Sequence, residues 1–88
     1  MIVTGTNLTD ITRINKYNEK ITEIEINGNF VEIESNAFKD FTKVTKVTYK
    51  GVTSPQCDDT TFPSTVTEVN VRYVYPQDKI CGKSIKKL

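Results

Sequence analysis

The sequence predicts a small α/β repeat fold: a parallel β-sheet of about four strands, joined by short helical or irregular return segments and closed by a C-terminal cap. A six-residue phrase written three times is the main reason. It reads ITEIEI at positions 21–26, VTKVTY at 44–49 and VTEVNV at 66–71, so the copies recur at a nearly constant interval. β-Branched residues dominate every copy, which suits a strand and disfavours a helix. Glycine follows the first two copies at Gly28 and Gly51, whereas the third runs into Tyr73 and a stretch that abandons the pattern.

A chain of 88 residues makes one domain. A fold this small buries roughly 60–65% of the surface its unfolded chain exposes, so its stability is marginal without a staple. The repeats divide residues 1–88 into a degenerate repeat at 1–20, repeats at 21–43 and 44–65, and a last strand with its cap at 66–88. In the degenerate copy, IVTG at positions 2–5 aligns with EING at 25–28, and NLTDITRI follows the next return segment loosely through Leu8, Ile11 and Ile14. Its strand is expected over residues 2–4, with Val3 beneath Ile26.

Within each full copy the pattern is apolar-x-x-apolar-x-apolar, carried by Ile21, Ile24 and Ile26, by Val44, Val47 and Tyr49, and by Val66, Val69 and Val71. Alternate strand residues face opposite sides, so Ile24 and Ile26 point inward while Glu23, Glu25 and Asn27 point out. Stacked in parallel, the outward positions form three rows: Glu23, Lys46, Glu68; then Glu25, Thr48, Asn70; then Asn27, Lys50, Arg72. The first row alternates in sign. Strands about 4.8 Å apart allow such neighbours to pair, each exposed pair contributing about 0.2–1 kcal/mol, so that row is expected to keep register. A period of roughly 20–29 residues with this pattern is the leucine-rich-repeat signature, in which stacking on a neighbour creates the core.

The return segment at positions 29–44 carries Phe30, Ile33, Ala37, Phe38 and Phe41, a spacing that predicts at most about two helical turns, with Ser35 as N-cap. The segment at 51–65 keeps one apolar anchor, Phe62, among Pro, Ser, Thr and Asp, which favour turns. The last residues read as a cap, with KSIKKL at 83–88 as a solvated end. Two cysteines permit either one disulfide or two reduced thiols. Cys57 and Cys81 flank the last strand. A bond between them closes a loop of about 24 residues and is expected to add about 3 kcal/mol by restricting the unfolded chain.

Composition narrows function by what it lacks. The chain has no His, which removes the usual general base near neutral pH and the commonest zinc ligand. Asp58 and Asp59 lack the third spaced carboxylate of a calcium loop and read as turn-capping or solvated residues, and Cys57 has no visible base to activate it as a nucleophile. Glycine-rich phosphate loops are missing, so no enzyme, cofactor or metal site is expected. A net charge of +1, basic residues spread along the chain and concentrated only in KSIKKL, and no Trp give nucleic acid no platform. No segment reaches the roughly 18 apolar residues of a membrane span, and the N-terminus lacks the zones of a signal peptide. The NLT triplet at positions 7–9 is an acceptor for N-glycosylation. Tyr73 and Tyr75 are read as packing over the open end of the core, with anchoring of a partner as the alternative.

These residues resemble a known group. ITEIEINGNFVEIESNAFKDFTKVTKVTY is similar to the BspA-like class of leucine-rich repeats, where an I-x-x-I-x-I strand is followed by I-x-x-x-A-F-x-x-C/F-x-x-L/V; the matching positions are Ile33, Ala37, Phe38, Phe41 and Val44. The stretch from YKGVTSPQCDDTTF to ICGKSI resembles the C-terminal ends of such proteins in parasitic protists, where a Cys after a Pro and an F/I-C-G-K element recur. The likeness spans about residues 21–88; Phe41 stands where many copies carry Cys, and the array is shorter than most. It implies a leucine-rich-repeat solenoid from a surface or secreted protein used in adhesion and protein binding. The expected binding face is Glu25, Asn27, Thr48, Lys50, Asn70 and Arg72. The alternatives are a cap or self-assembling piece, associating through its exposed first strand, and a cytoplasmic location.

Overall fold

The computed structural model describes residues 1–8 and 19–88, except for the side chains of residues 7 and 8. Ile11 and Ile14 of the degenerate repeat, the side chain of Leu8 and the NLT triplet's Thr9 therefore lie outside the described residues. Among the described residues there are eight strands: β1 (Ile2–Thr4), β2 (Asn7–Leu8), β3 (Glu23–Asn27), β4 (Glu32–Ile33), β5 (Lys46–Tyr49), β6 (Glu68–Val71), β7 (Lys79–Ile80) and β8 (Lys83–Lys87). Six of them form one mixed sheet in the order β1-β3-β5-β6-β8-β7. Its first five are parallel, and β7 runs antiparallel to β8.

The repeated phrase is the source of this register. Ile24, Val47 and Val69 are Cα partners across β3, β5 and β6, and the row continues to Ile85 on β8. Two residues further on, Val3, Ile26, Tyr49 and Val71 are partners in the same way. All of these but Ile85, which packs partly buried against the cluster, belong to the buried core. Val3 therefore lies under Ile26 as expected.

Behind this sheet a second, shorter ladder joins β2 to β4 in parallel and is extended by a bridge from Glu32 to Gln56. Between the two ladders the aromatic residues interlock. Phe38 meets Phe41 edge-on at 5.4 Å and stacks on Phe62 at 5.5 Å, and all three are buried. Thr61 takes beside Phe62 the place that Ala37 takes beside Phe38, and it is fully buried. Its polar atom is satisfied, since the hydroxyl donates to the carbonyl of Glu34 at 3.2 Å and the hydroxyl oxygen accepts from the amide of Asp58 at 3.3 Å. An unpaired buried hydroxyl would cost about 1–3 kcal/mol.

Backbone approaches backbone where the strands end. A Cβ built on Gly28, whose φ is 138°, would lie 2.6 Å from the carbonyl oxygen of Gly5, and one on Gly51 would overlap the carbonyl oxygen of Gly28 and the ring of Tyr49. No larger residue fits either position without moving the chain.

Three expectations are corrected. No helix occurs among the described residues, so the α/β reading gives way to a sheet-rich fold. Around the expected helix the chain makes successive tight turns instead, Ala37 to Glu34, Lys39 to Asn36 and Phe41 to Phe38, because Asn36 sits at a left-handed φ of 61° that a helix does not accommodate. Ser35 caps no helix and gives its hydroxyl to Asp58. Finally, the lysine-rich end is solvated but not loose: its residues are exposed or half-buried, yet β8 pairs with β6, and the sheet has six strands rather than four.

The turn between β7 and β8 places Cys81 at φ 48° and Gly82 at φ 72°, the pair of positive values that tight two-residue hairpins require. A disulfide from Cys81 to Cys57, with Cα atoms 5.0 Å apart, ties this hairpin to the Pro- and Thr-rich segment. The double variant Cys57→Ser, Cys81→Ser is expected to lose about 3 kcal/mol of unfolding free energy in urea. A loss below about 1 kcal/mol would show that the hairpin is held by its packing alone.

Candidate functional site

Four of the six residues singled out for binding, Glu25, Asn27, Thr48 and Asn70, stand on strands of the large sheet, and Lys50 and Arg72 each directly follow a strand's last residue. Glu25, Thr48 and Asn70 are consecutive Cα partners and are half-buried between their neighbours. Asn27, Lys50 and Arg72 follow at the strand ends and are exposed. The amide of Lys50 donates to the carbonyl of Ile26 at 2.8 Å, which carries the ladder one residue past β5. The first row is thus assembled as expected and runs on to neighbouring strands, whereas in the second Lys50 and Arg72 each fall one residue past their strands and no ladder pairing joins them among the described residues. Ile2 joins Glu25 on the β1 side and Lys86 joins Asn70 on the β8 side. The place of Ile2 follows from the alignment of IVTG with EING, whereas SIK, with a single apolar residue, is too short to read alone.

The acid–base pairing differs from the prediction. Glu23 and Lys46 are Cα partners, but the ion pair among the described residues joins Lys50 Nζ to Glu25 Oε1 at 3.1 Å, diagonally across β3 and β5. A diagonal neighbour lies within reach of a long side chain. Lys50 remains about half exposed, so this pair positions its ammonium group while leaving it open to a partner.

A shallow depression of about 250 Å³ opens on this face between β1, β3 and β5, lined by Met1, Ile2, Glu23, Glu25, Lys46 and Thr48. A second, of about 230 Å³, lies on the opposite side, where Glu32, Glu34, Ser35, Gln56 and Asp58 surround it. The described residues contain no group of three or more His, Cys, Asp or Glu side chains placed to hold a metal. Asp58 instead organises its own loop. Its Oδ1 accepts from the amide of Thr60 at 2.9 Å and from the Thr60 hydroxyl at 2.5 Å, while Oδ2 takes the hydroxyl of Ser35 from the neighbouring segment.

The two tyrosines near the last strand take different roles. Tyr75 is buried, meets Tyr49 edge-on at 5.9 Å, and donates its hydroxyl to the carbonyl of Lys79 at 3.0 Å. Burial, ahead of any other influence, raises its hydroxyl above the ordinary tyrosine value. Tyr73 is 77% exposed and packs over nothing. Core packing therefore describes Tyr75 alone.

No family model matches the chain, and no curated protein or solved structure matches it at a significant level.

The hydrogen bonds on Asp58, that of Ser35 foremost, favour its ionised form and lower its carboxyl below the usual aspartate range. A lowered native value means that this contribution is present above the unfolded value, near pH 4, and is lost as pH falls through the native one. Between pH 5 and pH 2 the stability of an Asp58→Asn variant should accordingly fall less than that of the wild type in urea titrations. Identical acid slopes would show that Asp58 binds its proton equally well in the folded and unfolded states.

Proposed function

We propose that this chain is a protein-binding module of the BspA-like leucine-rich-repeat kind, a short solenoid from a surface or secreted protein engaged in adhesion or host interaction. One observation supports it above the rest. The outward residues of three successive phrases stand in register on an uninterrupted parallel ladder, with no other described element laid over them. The resulting surface is polar, mixed in charge and rigid at the backbone, so a partner loses little free energy in ordering it. Return segments of similar length, a second ladder behind the sheet and the A-F element with Phe38 buried beside Ala37 support the solenoid reading. The disulfide favours an oxidising compartment, and no helix among the described residues is long and apolar enough to cross a membrane.

Binders selected from a displayed protein library on the immobilised, disulfide-bonded chain test this reading. Lys50→Glu and Arg72→Glu are each expected to weaken such binders by about tenfold, with added salt acting in the same direction. Affinities unchanged in both variants would move the contact to another face.

A second reading, self-assembly, is favoured by the outer edge of β1, which no described strand pairs. The amide of Glu25 donates to the carbonyl of Met1 at 2.8 Å, so by the alternation of a parallel ladder Met1 and Val3 face β3 while Ile2 and Thr4 direct their backbone groups away from it. Ile2 is also 66% exposed. Open edges of this kind accept a second strand. Thr4→Pro removes one outward donor and spares the bonds to β3, so a dimer seen by sedimentation at high concentration should become monomeric in that variant. A wild type that stays monomeric from micromolar to near-millimolar concentration would eliminate this reading.

A further inference from the structure

The geometry points to an extended acidic peptide, carrying an apolar residue beside its acids, as the ligand of the β6–β8–β7 end of the outer face; this rests on the protein-binding reading above. Charge is distributed unevenly over the molecule. From Glu68 onward the chain holds Arg72, Lys79, Lys83, Lys86 and Lys87 against Glu68 and Asp78, although its overall net charge is only +1. Two of those cations, Lys79 and Lys86, stand on paired strands of the sheet, and Arg72 directly follows the last residue of β6. Lys86 is the partner of Asn70, Ser84 is the partner of Glu68, and Lys79 is the partner of Ser84. Lys79 thus sits one strand across and two residues back from Lys86, while Arg72 comes two residues after Asn70, the partner of Lys86.

With strands about 4.8 Å apart and a rise of about 3.3 Å per residue, such a diagonal step measures roughly 8 Å. Acids at alternate positions of an extended peptide recur every ~7 Å, within the reach of flexible basic side chains. All three cations are exposed, and among the described residues none has a carboxylate within ion-pairing distance, because the ion pair present joins Lys50 to Glu25. Glu68 is the acid that shares this part of the face with them. Next to Arg72, Tyr73 is 77% and Val74 54% exposed, apolar surface that a peptide side chain would cover and a sulfated polysaccharide would not.

The test uses the full disulfide-bonded chain and fluorescence anisotropy of a labelled peptide in which Glu alternates with Ser and ends in Leu. Binding should weaken about tenfold with Lys86→Glu or Lys79→Glu, fall steeply with salt, and vanish for the matching Gln peptide. Replacing the terminal Leu by Ser should weaken it several-fold. Equal binding of the Glu and Gln peptides, indifference to both lysine variants, or capture of heparin without the peptide would each overturn the inference. Both lysines lie outside the six residues of the protein-binding reading. Library binders that lose affinity with Lys50→Glu but ignore Lys86→Glu would therefore remove the acidic ligand and leave that reading standing, whereas binders indifferent to all four variants would remove both.

Discussion

The contact on which the rest of the structure depends is the approach of one backbone to the next at Gly5, Gly28 and Gly51. A side chain at Gly28 would meet the carbonyl of Gly5, and one at Gly51 the carbonyl of Gly28. Since these residues follow β1, β3 and β5, their closeness keeps the strands at ladder distance up to their last residues. Register follows from that. A shift of one residue in a strand would turn Ile24 and Ile26 out to solvent and Glu23 and Glu25 into the core, and burying carboxylates there has no compensating partner. The side chains enforce the alignment that the glycines permit.

Register in turn makes the outer face a surface rather than a scatter of polar residues. Because the inward positions are filled by Ile24, Val47 and Val69, the outward ones fall in line at the spacing of a sheet. Lys50 is held by Glu25, while the cations at the β8 end are not held by any described acid. The opposite side of the molecule has another character. There Asp58, Ser35 and Thr60 use their polar atoms on one another, and the buried Thr61 uses its own on the backbone. Polar groups spent on local turns are poor candidates for recognition, and this difference singles out the sheet face.

Much of this was legible beforehand for a physical reason: a phrase repeated at a near-constant interval specifies both the strand and its neighbour at once. Val3 beneath Ile26, the parallel direction and the pairing of Cys57 with Cys81 all follow from that repetition and from where the repetition stops. The misreadings fall where the signal is local and short. Helical spacing through Ile33, Ala37 and Phe41 also fits a chain of tight turns, and only the left-handed backbone of Asn36 distinguishes them. β8 went unseen because Ile85 is its single inward apolar residue, flanked by Lys83 and Lys87, which need little burial at the end of the core. Tyr73 and Tyr75 share a parity that would place them together on a continuing strand, but the chain leaves the sheet after Val71 and sends them to different environments.

The hairpin of β7 and β8 bears on how such a chain changes length over generations. A segment one repeat long, duplicated ahead of β6, would arrive with its own strand, its own inward side chains and a neighbour on either flank, so the ladder would lengthen without repair. The same duplication placed after β8 meets a reversed strand across the sheet edge. Lengthening therefore has one permissive side, and descendants of this gene would be expected to differ in their early portions while retaining a common ending.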